Sequence, residues 1–332
     1  MRPDAFRGTD RGIIAEAGGD TLTEAAELFE QAMESLRNGD IGGVDTLRLA
    51  AEKGNAYAQN NYALILYAGD LVERDIEGAF NWFRSAAERG IDESQFHLGL
   101  EFYEGNTVDQ DYREALKWFR VAAEKGYPAA QYYLGLCYYN GYGVFRDYGF
   151  AVRWFTLASD RDYPPAIISL ADAYMDLNNP ERNYKEAFRL YKRASESGDD
   201  SGYYKLGSCY YKGKGTPRNY IEASKCFRKG MEANMDNDCE YMLGMMYIKG
   251  EGVQKNHRMG MTMIRNAAKA GNEDAMRYLK RITPSDKPVI TADDDATDDD
   301  QILDDLNTPD LIGGMKGAER SKGLLGFFRK RF

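Results

Sequence analysis

Between Asp147 and Ser159 the chain reads DYGFAVRWFTLAS, with apolar residues at Phe150, Ala151, Trp154, Phe155 and Ala158. Intervals of three and four place these side chains along one stripe of a 3.6-residue helix. The stretch before it, AAQYYLGLCYYN from Ala129 to Asn140, predicts a first helix, and GYGV joins the two. The same arrangement returns along the chain. Ala79, Ala115, Ala151, Ala187 and Ala223 form a column at steps of 36 residues, as do Trp82, Trp118 and Trp154, with Leu190 next. A period of this length is the mark of a stacked helical array.

The punctuation keeps the same beat. Segments like AAEKG end at Gly54, Gly90 and Gly126, and the step continues through Asp162, Gly198 and Asn234, then lengthens by one residue to Gly271. Gly90, Gly126 and Gly198 are expected just beyond the second helix, where a left-handed residue ends it. Asp75, Asp111, Asp147, Asn183, Asn219 and Asn256 open the second helix, where a short polar side chain caps free backbone N–H groups. Gly135, Gly141 and Gly143 in LGLCYYNGYGV invite comparison with a phosphate-binding loop. Such a loop follows a strand and opens a helix, and no strand precedes Gly141. The near copies LGSCYYKGKGT and LGMMYIKGEGV, from Leu206 and Leu243, mark it instead as the turn of a repeated helical hairpin. Small residues such as Gly135 and Ala151 let neighbouring helix axes approach.

The fullest unit, with Ala130, Leu134, Gly135, Tyr138, Gly141, Gly143, Val144, Asp147, Ala151, Trp154 and Ala158, resembles the Sel-1-like repeat family, a relative of the tetratricopeptide repeats. The resemblance covers about residues 40–282. It implies an all-α, right-handed superhelix of about seven antiparallel helix pairs, with the first helix of each pair lining a concave side. It also implies a scaffold or adaptor for other proteins rather than an enzyme. Leu71 and Thr107 replace the second turn glycine, and MDLNNPERNY at 175–184 lacks both, so that hairpin is expected to be looser or differently kinked. TLTEAAELFEQAMESLR from Thr21 predicts an atypical first helix, and NEDAMRYLKRI at 272–282 a closing one. Terminal repeats are commonly atypical because they cap the array.

Tyr138, Tyr174, Tyr210 and Tyr247 of the Leu-Gly-x2-Tyr motif are expected between helices. An adjoining face is defined by residues seven apart: Asn60 with Tyr67, Phe96 with Tyr103, Tyr132 with Tyr139, Ile168 with Met175, Tyr204 with Tyr211, and Tyr241 with Ile248. Spacing of seven keeps both members on one face. By analogy with tetratricopeptide repeats that face is the concave one. Tyrosine offers large area, few rotamers and a hydroxyl, which suits peptide recognition. Phe96, Tyr103, Tyr132, Tyr139, Tyr204, Tyr211 and Tyr241 are therefore the candidate partner-binding residues, for an extended or helical segment of another protein. The competing reading is that several of them only pack against the next repeat.

Composition narrows the alternatives. A net charge of −10 gives no electrostatic footprint for nucleic acid. No apolar run approaches a membrane span, and the charged first twenty residues do not read as an export signal. The cysteines Cys137, Cys209, Cys226 and Cys239 do not form a disulfide framework, since Cys137 and Cys209 share a register two repeats apart. Cys226 and Cys239 are near enough in sequence to approach but form no redox motif. A cytoplasmic location is expected. The two histidines, His97 and His257, lie in different repeats without metal-ligand spacing, and His97 reads as an ordinary helix residue. No nucleophile with a base, no cofactor site and no metal site is expected, leaving an enzyme or small-molecule binder as the weaker alternative.

The composition changes after Ile282. The predicted organisation is a flexible 1–20, a repeat array over 21–282, an acidic disordered linker over 283–315 and a basic, hydrophobic segment over 316–332. Ten aspartates and one lysine fall between Asp286 and Asp310, whereas KGAERSKGLLGFFRKRF carries six basic residues and one acid. Three readings of this end stay open: an inert tail, a membrane or partner contact through 323–332, and docking of the tail onto the array. The second makes a membrane-proximal adaptor the alternative to a scaffold.

Overall fold

The computed structural model describes residues 10–197, 201–234 and 236–281, and all described secondary structure is helical. The expected linker at 283–315 and terminal segment at 316–332 lie outside the described residues. The chain divides into two compact units, one up to Arg146 and one from Asp147.

The first unit holds α1 (Asp10–Arg37), α2 (Gly43–Glu52), α3 (Ala56–Ala68), α4 (Ile76–Glu88), α5 (Asp92–Glu104), α6 (Tyr112–Glu124) and α7 (Pro128–Asn140). The second holds α8 (Tyr148–Ser159), α9 (Pro164–Met175), α10 (Tyr184–Glu196), α11 (Ser201–Lys212), α12 (Tyr220–Asn234), α13 (Asn237–Lys249), α14 (His257–Lys269) and α15 (Glu273–Arg281). Within each unit every helix packs against the one before and the one after, the arrangement of an all-α repeat solenoid. The first helix begins at Asp10.

The alanine column is the tightest part of the core. Ala79, Ala115, Ala151, Ala187 and Ala223 are all fully buried. The aromatic that fills each repeat is not the tryptophan, however. Trp82, Trp118 and Trp154 keep part of their surface in solvent. One position later, Phe83, Phe119, Phe155, Tyr191, Phe227 and Ile264 are each at most 2% exposed. The glycine of the first helix exists for this residue. A Cβ on Gly99 would stand 2.7 Å from the Phe119 ring, and one on Gly207 would stand 2.7 Å from Phe227.

The caps follow the sequence. Asp75, Asp111, Asp147, Asn183 and Asn256 accept hydrogen bonds from backbone N–H groups of the first turns of α4, α6, α8, α10 and α14. Asn219 does the same for Glu222 at 3.1 Å in α12. Asn256→Ala is expected to lower the stability of the second unit by ~1 kcal/mol, read as a shift in its urea midpoint. Gly90 and Gly126 take φ of 93° beyond their helices; Gly198 lies outside the described residues.

Where turn glycines are missing, side chains replace them. Thr107 donates to the buried carboxylate of Glu101 at 2.7 Å, and Leu71 packs on the first hydrophobic cluster. In the hairpin after α9, Asp176 is extended rather than left-handed. Asn179, 3% exposed, donates to the Ala173 carbonyl at 2.7 Å and accepts from the Glu181 N–H at 2.9 Å. This turn is differently built and is pinned from inside.

Candidate partner-binding face

The first helices in the first unit are joined to the repeat before by a device the sequence reading missed. Gln59, Gln95 and Gln131 are buried, and each donates to the carbonyl of Ala51, Ala87 or Ala123 near the end of the preceding helix, at 3.1–3.2 Å. These carbonyls have no partner four residues on within their helix; each accepts from the N–H of Gly54, Gly90 or Gly126 and takes the glutamine as a second donor. The glutamines recur every 36 residues, which was the available signal. Ile167 and Tyr203 interrupt the column afterwards.

With the first helices fixed in this way, the candidate residues fall into two groups. Phe96 is a correction. At 8% exposed it is enclosed by Phe119, Tyr127 and Tyr133, with ring centroids 5.4–5.9 Å away. It belongs to the core and cannot present a surface. Asn60, the polar member of the series, is buried too, accepting from Ser94 at 2.7 Å and donating to Glu93 at 2.9 Å. The other candidates, Tyr103, Tyr132, Tyr139, Tyr204, Tyr211 and Tyr241, are all half-buried.

Tyr103 sits in an aromatic cluster with Tyr112, Phe119, Tyr133 and Tyr142, centroids 5.4–6.0 Å distant, and burial pushes its hydroxyl well above the usual phenol range. Tyr132 meets Tyr133 edge-on at 5.3 Å. Tyr142, between the two turn glycines, stacks on Tyr112 at 4.6 Å. Position 142 corresponds to Lys214 and Glu251 in later repeats, so its chemistry varies too much for the sequence pattern to mark it. In the second unit Tyr211 donates to Glu251 at 2.6 Å and accepts from Lys249 at 3.1 Å. Burial raises the hydroxyl pKa of Tyr204 and of Tyr241, and nearby carboxylates add to it. The second members Tyr67, Tyr103 and Tyr211 all touch the following repeat. They are seam residues with one edge in solvent. The motif tyrosines Tyr138 and Tyr247 are also half-buried, and each accepts from an arginine of the preceding helix at 3.1 Å.

An open pocket of about 210 Å³ lies in the second unit between α9 and α11, reached by α10 and the turn after α11. Asp172, Met175, Tyr191, Tyr204, Lys205, Ser208, Cys209, Lys212 and Lys214 line it. Tyr204 and Met175 come from the sequence pattern; the lysines do not. Asp172 is occupied by Lys205 at 2.9 Å and by the Tyr191 hydroxyl at 2.5 Å.

The titratable groups look structural. All four cysteines are free and buried, and burial pushes Cys137 up to about 12 and Cys209 and Cys226 to about 11. These thiols are protonated and poor nucleophiles. His97 stacks on Phe83 at 4.5 Å, and the enclosing rings lower its pKa to about 4, against a smaller upward pull from Glu93. Its neutral form is favoured in the folded state. Between about pH 4 and an unfolded value near 6.5, only the unfolded chain takes up the proton. Stability is therefore whole above pH 6.5 and falls as pH drops towards 4. Urea midpoints of the first unit at pH 7 and pH 5 are expected to show this loss, and His97→Phe should reduce it. Among the described residues no group of three His, Cys, Asp or Glu could hold a metal ion, and no helix is long and apolar enough to cross a membrane.

The Sel1 repeat model matches residues 56–91, 92–127, 128–163, 164–199, 200–234 and 237–272. Among solved structures, the chain is similar to a protective antigen of uropathogenic Escherichia coli strains displaying an SLR fold, with 33% identity and a TM-score of 0.65. That alignment covers 72% of this chain and 51% of the antigen, so the chain spans about half of that protein's length. It is also similar to a Sel1 repeat protein from Oxalobacter formigenes, with 27% identity, a TM-score of 0.61, and coverage of 85% of this chain and 83% of the other. No curated protein matches the sequence.

Proposed function

Because the chain belongs to the Sel1-repeat family, whose members are typically non-catalytic scaffolds for protein–protein interaction, we propose that it is an adaptor. In this reading each unit offers its own first-helix face to a segment of a partner protein. One observation carries it: Tyr132, Tyr139, Tyr204, Tyr211 and Tyr241 are held half-buried. A ring fixed by its neighbours loses little rotamer freedom on binding, while its open edge still offers area and a hydroxyl. The pushed-up Cys137, Cys209 and Cys226 thiols favour a structural role for these residues. A reducing, cytoplasmic setting is part of the proposal, supported by four free thiols.

The test replaces Tyr132, Tyr139 and Tyr204 together with alanine in the full chain and compares crosslinking capture from lysate with the intact protein. Loss of specific partners while the helical signal and urea midpoint hold is the expected result. A sharply lowered midpoint with unchanged capture would show that these rings only pack.

A further inference from the structure

The pocket beside Tyr204 has an unusual charge for this chain. The whole sequence carries −10, yet residues 201–234 hold seven Lys or Arg against two Glu. Three of those lysines, Lys205, Lys212 and Lys214, line the pocket, and its one carboxylate, Asp172, is already taken by Lys205 and Tyr191. Among the described residues neither Lys212 nor Lys214 is in an ion pair. Lys214 rests its ammonium over the Tyr184 ring, 5.3 Å from the centroid, a contact that holds it beside the pocket without neutralising its charge. Met175 and Tyr204 supply apolar wall beside the two cations. The arrangement fits a segment alternating carboxylates with a few aliphatic side chains.

We propose that the occupant is the chain's own acidic segment, DDDATDDDQILDD at 293–305, which brings eight aspartates, one isoleucine and one leucine and no basic residue. Charge complementarity is the first argument. Reach is the second. α15 occupies the first-helix register, so within the second unit it runs in the same direction as α11, and Arg281 falls level with Ser208 in the repeat. The chain thus leaves α15 at the height of the pocket, which lies between α9 and α11 and so two to three first helices away, or ~20–30 Å at a helix spacing of ~10 Å. The eleven residues from 282 to 292 span at most ~36–40 Å when extended, which is sufficient. Tethering also presents the segment at an effective concentration of order millimolar, so a weak contact is occupied. Docking there covers Tyr204, and so regulates the face that the proposed function uses. That consequence rests on the adaptor reading; the docking itself does not.

The test uses the full chain and a fluorescent peptide of residues 291–307. Against the intact protein the peptide should bind weakly, because the pocket is filled. In a full chain whose eight aspartates at 293–305 are changed to asparagine it should bind at least ~10-fold more tightly. Adding Lys212→Gln and Lys214→Gln to that chain should abolish the gain, with an unchanged circular dichroism spectrum. Equal affinity for the intact and asparagine-bearing chains overturns the proposal, and would mean that the pocket stands open to an acidic segment of another protein. No binding to either chain, or binding indifferent to the two lysines, also overturns it. A zero-length carbodiimide gives a second readout: Lys212 or Lys214 joined to 293–305 within one molecule, at a yield independent of protein concentration. The peptide and crosslink measurements involve no partner, so they can succeed where partner capture fails, and the reverse.

Discussion

Phe119→Ala should lower the unfolding free energy of the first unit by about 3–5 kcal/mol, among the largest effects of any single truncation in it. The ring is fully buried and touches the rings of Phe96, Tyr103 and Tyr133. It also lies over Gly99, whose missing side chain allows α5 and α6 to come together. Truncation loses the transfer energy of a phenyl group and leaves a void between two helices that are tied to their neighbours and cannot fully collapse. Trp118→Ala, one position earlier, serves as the comparison. Although tryptophan is the larger residue, Trp118 is already partly in solvent, so its loss should cost less than that of Phe119. Urea titration of both variants checks the order, and a Trp118 effect equal to or above that of Phe119 would contradict the assignment of the core.

The second large effect separates two glycines of one turn. Gly213 and Gly215 have φ of 69° and 76°, so alanine at either bears the left-handed penalty of ~1–2 kcal/mol. Gly213 is tight but not blocked: an added Cβ would meet the Arg218 Cβ and backbone N at 3.3 Å, which a shift of a few tenths of an ångström relieves. Gly215 has none, because a Cβ there would lie 2.0 Å from the Tyr184 carbonyl oxygen and 2.9 Å from the Phe188 Cβ. Backbone must move, and overpacking adds ~1–3 kcal/mol. Gly215→Ala is therefore expected to cost ~3 kcal/mol and Gly213→Ala about half that. Hydrogen exchange should show the difference in α10 and α11. Gly143 and Gly252 repeat the contact, against Tyr112 and Tyr220 at 2.3 Å. The second glycine of the turn is thus a site of close approach between repeats, whereas the first mainly ends a helix.

Much of this was readable from the sequence, because a repeat reports each structural demand several times. The Asp and Asn caps, the alanine column and the glycines at 90, 126, 141 and 143 each answer one local requirement, and the structure places them where the repeat puts them. The Phe83–Phe119–Phe155 column was legible at the same period but was overshadowed by the larger tryptophans beside it. The candidate face was less legible. A spacing of seven puts Phe96 and Tyr103 on one side of α5, but cannot tell how far the next repeat covers each; Tyr133 of α7 touches both rings, and Tyr127, at the N-cap of α7, closes over Phe96. The lysine-lined pocket was harder still, since Asp172, Tyr191 and Lys212 come from three helices and no single repeat contains them.

Many of the polar ties between repeats join residues close to one period apart: Asn60 with Glu93, Lys125 with the Gly90 carbonyl, Arg193 with Ser159, Lys205 with Asp172, and Asn272 with Asp238. None of these bonds spans two periods. Under tension applied at its ends, either unit would therefore yield in small successive steps, each releasing one helix pair, and a force–extension trace would show a shallow sawtooth in place of a single rupture.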